Sequence, residues 1–291
     1  MSVLAGRSIG LCCAFLLFFV PVSYAQTDSA SAIDRTVPTV VAQMLGEELK
    51  YDVSFLWFKR LAEGTISLMP GPEDGQYTAL LQARTLGLTA FLTSHRVEKI
   101  ETVMEVGPEG LLRPLIQRAY TIRGEGKKKK ERIRSYHFDH QQRQVYYKNW
   151  KTGKKPQEKT YPMDKPGPVY DLLSAFYNVR AGLYGPVERG RQLALPTFTR
   201  RGTEDVIVER LQKKAQKRQR FFPKTDILCK VLADPDTFGT KGRDVFVGFD
   251  TAMVPQRAVV KNVIGLGDVR GVLRSASNLL QNKHSSKDED L

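Results

Sequence analysis

The side chains best suited to chemistry fall into three groups. Between Pro168 and Gly182, Asp171, Ser174 and Asn178 share one stripe at helical spacing, with Tyr177 and Arg180 nearby. Asp171 and Arg180 could pair or reach a ligand; the competing reading is a polar face hydrogen-bonded to strand ends or water. His137-Phe138-Asp139-His140 has the best metal-like composition. Zinc needs three or four converging ligands, and residues i and i+3 of a strand point to opposite faces. The two histidines converge only if a turn begins at Asp139, so the segment reads as a strand end and no metal ligand is assigned. Gly265-x-Gly267 with Gly271 matches a dinucleotide loop in part, but its third glycine falls one residue late and no helix follows. These read as strand and turn glycines. A phosphate loop, a Gly-x-Ser-x-Gly elbow and a paired-histidine zinc helix are all absent from the sequence. No catalytic residue and no cofactor is assigned, and the chain is read as non-enzymatic. A hydrolase using Asp139 or Asp171 has only the presence of acids behind it.

The elements that would position these residues are mostly strands. Leu49, Tyr51, Val53, Phe55 and Trp57 share one parity against Lys50, Asp52 and Ser54, the mark of a half-buried strand. Comparable segments recur to residue 273, separated by Gly, Pro and Asp turns. Val169, Leu172, Leu173, Phe176 and Val179 change the period to that of a helix, with Pro168 at its start and Gly182 at its end. A dozen short strands and one helix predict an all-β, mainly antiparallel fold: a curved sheet or barrel-like structure with one central α-helix.

Composition sets the outer bounds. The 291 residues carry a net charge of +14, with 41% apolar and 26% charged residues, which excludes a wholly disordered or fibrous chain. The positive excess lies in three windows, residues 127–134, 148–159 and 210–220; the rest is about neutral. Residues 1–25 combine Arg7, an uncharged run from Ile9 to Val20 and small residues at Ser23 and Ala25, the pattern of a cleaved signal peptide. The expected location is therefore the periplasm, with no transmembrane helix in the mature chain. Residues 26–44 read as a flexible linker, 45–275 as a single β-rich domain and 276–291 as a disordered tail. Of three cysteines only Cys229 would survive cleavage, so no intrachain disulfide is expected.

Several of these residues resemble a known family. Gly46 to Val53 opening the domain, Phe138-Asp139 closing a strand, Asp171 to Ser174 with Tyr177 and Arg180, and the closing stretch from Gly248 through Pro255 to Ile264-Gly265 are similar in order and spacing to DUF3108, a family of bacterial envelope proteins of unknown function. The resemblance spans roughly residues 45–275, and Gly248-Phe249 departs from it mildly. It implies an exported, mostly antiparallel β-barrel-like fold and assigns no catalytic residue.

A curved sheet around one helix can enclose an apolar cavity, and the leading expectation is a binding or envelope-maintenance protein. Tyr51, Phe55, Trp57, Asp171, Phe176 and Arg180 are the candidate ligand-binding residues. The competing reading fills the core with these aromatics and makes the protein an assembly factor that docks an envelope protein. Lys127, Lys128, Lys129, Lys130, Lys213, Lys214, Lys217 and Arg218 are candidates for contact with an anionic membrane surface. A lipid or other apolar ligand is the expected partner. Nucleic acid is not, because an exported protein seldom meets it.

Overall fold

A computed structural model of the chain describes residues 39–55, 58–87 and 94–280, residue 59 by its backbone alone. The signal peptide, most of the linker, Trp57 and residues 281–291 of the tail lie outside these. A short helix α1 (Thr39–Met44) opens the described chain and buries Val41 and Met44. The last residues assigned to the linker are thus part of the core. Strands β1 (Glu47–Phe55), β2 (Phe58–Pro70), β3 (Gln76–Thr85), β4 (Val97–Val106), β5 (Leu112–Arg123), β6 (Lys130–Asp139), β7 (Gln144–Lys151) and β8 (Lys154–Pro162) follow. Helix α2 (Leu172–Arg180) comes next, then β9 (Gln192–Thr199), β10 (Gly202–Arg210), α3 (Lys213–Gln216), β11 (Ile227–Leu232), α4 (Pro235–Phe238), β12 (Asp244–Phe249), β13 (Pro255–Val263) and β14 (Gly267–Asn278).

All the strands join one antiparallel 14-stranded sheet in the order β8-β7-β6-β5-β4-β3-β2-β1-β14-β13-β12-β11-β10-β9. Each hairpin pairs with the next, and β1 with β14 fuses the two halves. β14 runs through residues 276–278, the start of the segment assigned to the tail. A twisted sheet of more than about ten strands curls or splits. Register shifts at Lys50/Tyr51, Val103/Met104 and Gly248/Phe249 add bends of the kind a bulge produces.

Curling brings the two edges, β8 and β9, toward each other. β8 is exposed along nearly its whole length and carries Lys154, Lys155, Pro156 and Lys159. Lysine and proline blunt a free edge against pairing with another chain. With both faces wet, β8 has no hydrophobic alternation, and nothing in its sequence pattern marks it as a strand. The edge of β9 is covered by the segment that precedes α2: Tyr170 donates its N–H to the Pro196 carbonyl, and Phe198 donates to the Tyr170 carbonyl, both at 2.8 Å. Between the edges sits an aromatic seam. Phe198 of β9 lies 5.9 Å from Tyr136, 5.9 Å from Phe138 and 5.7 Å from Tyr161.

Helix α2 fills the inside of the curl. Leu173, Tyr177 and Ala181 pack with Val41, Leu68, Tyr77, Met104 and Leu112 on one side. Ala175 and Val179 pack with Leu193, Leu195, Val206, Val208 and Phe249 on the other. The helix starts later than its periodicity predicts. Asp171 is the N-cap, accepting from the Ser174 N–H at 2.9 Å while Ser174 Oγ accepts from the Asp171 N–H at 3.1 Å. Val169 precedes the helix and belongs to the cluster of Tyr136, Phe138 and Phe198. Gly182, at φ +66°, ends the helix as its position predicted.

On the opposite face of the sheet, Glu63 accepts from Arg60 at 2.9 Å, Arg84 at 3.0 Å and Arg274 at 2.9 Å. These bonds draw its carboxyl from an ordinary value of 4.5 down to about 2. A depressed folded pKa contributes stability above the unfolded value and loses it as pH falls toward the folded one. Glu63→Gln should therefore be less stable than the parent at pH 7, and the gap should close between pH 4.5 and about 2. Urea midpoints of both proteins across that range measure it, and a constant gap would assign the effect to packing.

Candidate functional site

The pleat of β6 sets up the site. Lys130, Arg132, Arg134, Tyr136 and Phe138 alternate with Glu131, Ile133, Ser135 and His137, so the first set shares the concave face. Tyr136 and Phe138 are buried, and the cations continue their row toward the strand's start. Register places Arg134 opposite Ala119 of β5 and Asn149 of β7, with Ala119 opposite Ile100 of β4. The far wall is built by the β9–β10 turn, with Arg200, and by α4.

Three spaces neighbour one another here and share wall residues. A basin of about 770 Å³ opens between the starts of β4 and β6, the ends of β5 and β7, and α4. A neck of about 100 Å³ follows, sharing Arg134, Arg200 and Asp236 with the basin. Beyond it a cavity of about 130 Å³ lies alongside α2 and shares Leu172 and Val206 with the neck. Phe238 of α4 borders both the basin and the cavity.

Polarity changes steeply across these spaces. Eight cationic side chains border the basin against three carboxylates. Each carboxylate already has a partner: Glu98 pairs with Arg96 at 2.6 Å, Glu131 with Lys129 at 2.5 Å and Asp236 with Arg201 at 3.1 Å. Arg123, Lys130, Arg134, Lys151 and Lys154 form no ion pair among the described residues. The Arg134 Nε is buried and has no hydrogen-bond partner among them either. An unmet buried donor costs about 1–3 kcal/mol, and the protein offers this one no acceptor among the described residues. Burial pushes the Tyr136 phenol up to about 12, against an opposing pull from Arg134, and keeps it neutral. The inner cavity is lined by apolar side chains throughout, among them Ala175, Phe176, Val179, Leu195 and Phe249.

The structure gives the residues singled out from sequence different roles. Phe176 borders the apolar cavity. Asp171 is buried in the cap of α2 and also accepts from the Thr102 hydroxyl. Asn178 accepts from the Leu112 N–H and donates to the Leu112 carbonyl, both at 2.8 Å. The polar stripe is therefore satisfied by β4 and β5. Arg180 is paired with Glu47, and the Tyr51 hydroxyl donates to the Pro255 carbonyl at 2.8 Å. Phe55 packs on Phe58 at 5.8 Å. These four candidates position α2 and β1 and are not brought together around a cavity. Asp139 starts a turn, accepting from the Gln142 N–H at 2.8 Å, while His140 Nε2 meets the Pro114 carbonyl and His137 is exposed. Cys229 is buried, and burial pushes its thiol up to about 12, which leaves it unreactive.

Of the surface candidates, Lys127, Lys128 and Lys129 are exposed around the β5–β6 turn, and Lys130 faces the basin. Lys213, Lys214, Lys217 and Arg218 are exposed on and after α3, at the opposite end of β10 from the β9–β10 turn. Arg132 and Arg134 were missed because they sat in a charge run. Their signal was phase: they share parity with Tyr136 and Phe138.

A family model described as "Protein of unknown function (DUF3108)" matches residues 50–246. Among solved structures, the chain is similar to a β-barrel-like protein of domain of unknown function DUF1849 from Brucella abortus. The TM-score is 0.44 at 11% identity, over 80% of this chain and 98% of that one. A search of curated proteins finds no match.

Proposed function

The chain belongs to the DUF3108 family of proteins of unknown function, and we propose that it is an exported, non-enzymatic binding protein that holds an apolar group beside α2. The carrying observation is the wholly apolar cavity of about 130 Å³, which adjoins the neck at Leu172 and Val206. An apolar space of about 150 Å³ stays dry and accepts a benzene-sized guest. This cavity therefore suits one ring or a short run of alkyl carbons, with the rest of a longer ligand in the neck and basin. Among the described residues, no helix is long and apolar enough to cross a membrane.

Val206 lies on β10 where neck and cavity meet. Val206→Phe should fill that junction and weaken binding of an environment-sensitive apolar fluorophore about tenfold, equivalent to about 1.4 kcal/mol. Titration of parent and variant checks this, with thermal melts confirming that both are folded. Parent binding no tighter than to a cavity-free control protein would remove the binding-protein reading.

A further inference from the structure

Resting on that reading, we propose that the ligand is an amphiphile with an oxyanion head, a carboxylate or a phosphate, and that Arg134 holds this head in the neck. Position makes the first argument. Arg134 borders both basin and neck, and the neck shares Leu172 and Val206 as a common wall with the apolar cavity. A head at Arg134 thus places an attached alkyl chain beside the cavity.

Chemistry makes the second. The Arg134 Nε is buried without a partner, and its guanidinium forms no ion pair among the described residues. A guanidinium offers a planar fork of donors that matches carboxylate and phosphate oxygens. Ala119, with its small side chain, stands opposite Arg134 in the ladder and borders the neck beside it. Ile100, Leu172 and Phe198 border the same space, so a charge-assisted bond there is less screened than at the surface. The carboxylates on the far wall do not take this role from the ligand. Asp236 is held by Arg200 at 3.4 Å and Arg201 at 3.1 Å, and Asp234 lies 3.8 Å from Arg201. Lys130, Arg132 and Lys154 continue the cationic surface outward from the neck, which favours entry of an anion head and disfavours a cation.

The test uses four probes with the same eight-carbon chain: octanoate, octyl phosphate, 1-octanol and octylamine. Calorimetric titration of the full mature protein should rank either anion at least about tenfold tighter than octanol, with octylamine weakest. The order of octanoate and octyl phosphate identifies which oxyanion the site prefers. Added salt should weaken the anions and leave octanol unchanged. Arg134→Gln should remove the preference for anions while keeping octanol binding. Arg134→Lys, which keeps the charge and loses the fork, should retain part of it. Equal affinity of the parent for octanol and the anions, or a preference that survives Arg134→Gln, overturns this proposal and leaves the apolar-cavity reading standing. Binding of none of the four overturns that reading as well. The comparison of parent ligands decides the matter even if a variant fails to fold.

Discussion

Arg180→Ala should destabilise the protein by about 3–5 kcal/mol, the cost of leaving one member of a buried ion pair alone. The Arg180 side chain is 1% exposed and that of Glu47 13%. The guanidinium meets Glu47 Oε1, reaches Oε2 at 3.1 Å and donates from Nε to the Met253 carbonyl at 2.9 Å. It also lies 5.5 Å from the ring centres of both Phe176 and Tyr177. One side chain thus ties the end of α2 to β1 and to the β12–β13 turn. Removing it strands the Glu47 carboxylate beside the Tyr177 phenol, which burial already holds well above its ordinary pKa. At roughly 2–4 °C per kcal/mol for a domain of this size, the melting temperature should fall by about 10 °C. The double variant Arg180→Met/Glu47→Leu should recover much of the loss, because it removes both charges and keeps apolar volume. Guanidinium denaturation of the three proteins checks this; a double variant as unstable as the single would assign the loss to packing around the Arg180 stem.

This pair also marks where sequence reading stopped. Arg180 and Asp171 looked like ligand groups because a buried polar residue and a binding residue have the same composition. What separates them is partnership, and their partners are far along the chain: Glu47 is 133 residues from Arg180, and Thr102 is 69 from Asp171. No local pattern records such contacts. The fold was more legible, because alternation is a local consequence of one wet and one dry face. Leu49 and Tyr51 share a parity and both are buried. Where that asymmetry fails, so does the signal: β8 is wet on both faces, and the six residues of α1 are too few to show a period. Val169 fits the helix by its spacing of three to Leu172 and is as buried as Leu173, but it precedes the helix and faces the aromatic seam. The basic run at 127–134 hid a different kind of information. Taken as net charge it suggested a surface. Taken in phase with Tyr136 and Phe138, Arg132 and Arg134 belong to the interior face, the one that borders the basin and the neck.

Phe198→Ala should cost about 3–5 kcal/mol, and the loss should be felt first at the seam. Phe198 is 6% exposed and joins β9 to rings from β6 and β8, across the gap where the 14-stranded sheet has its two ends. Elsewhere neighbouring strands are held by ladders of backbone hydrogen bonds. At this gap, closure depends on the short Tyr170 bridge, on the Lys165–Asp205 ion pair at 2.6 Å and on side-chain packing. Edge-to-face ring pairs contribute about 0.5–1.5 kcal/mol beyond their buried area, and alanine forfeits three such contacts while opening a cavity. Native-state hydrogen exchange should then show the amides of Tyr170 and Phe198, and those pairing β8 with β7, losing protection more than the β1–β2 or β2–β3 pairs. Phe198→Leu should keep most of the protection by keeping most of the volume. A uniform loss across the sheet would mean that it opens as one cooperative unit and that the seam is no weaker than the ladders. Because Phe198 also borders the neck, a selective loss would carry a functional consequence: the wall facing Arg134 would be the part of the molecule that yields most readily, and a ligand too long for the cavity could be admitted there without disturbing α2.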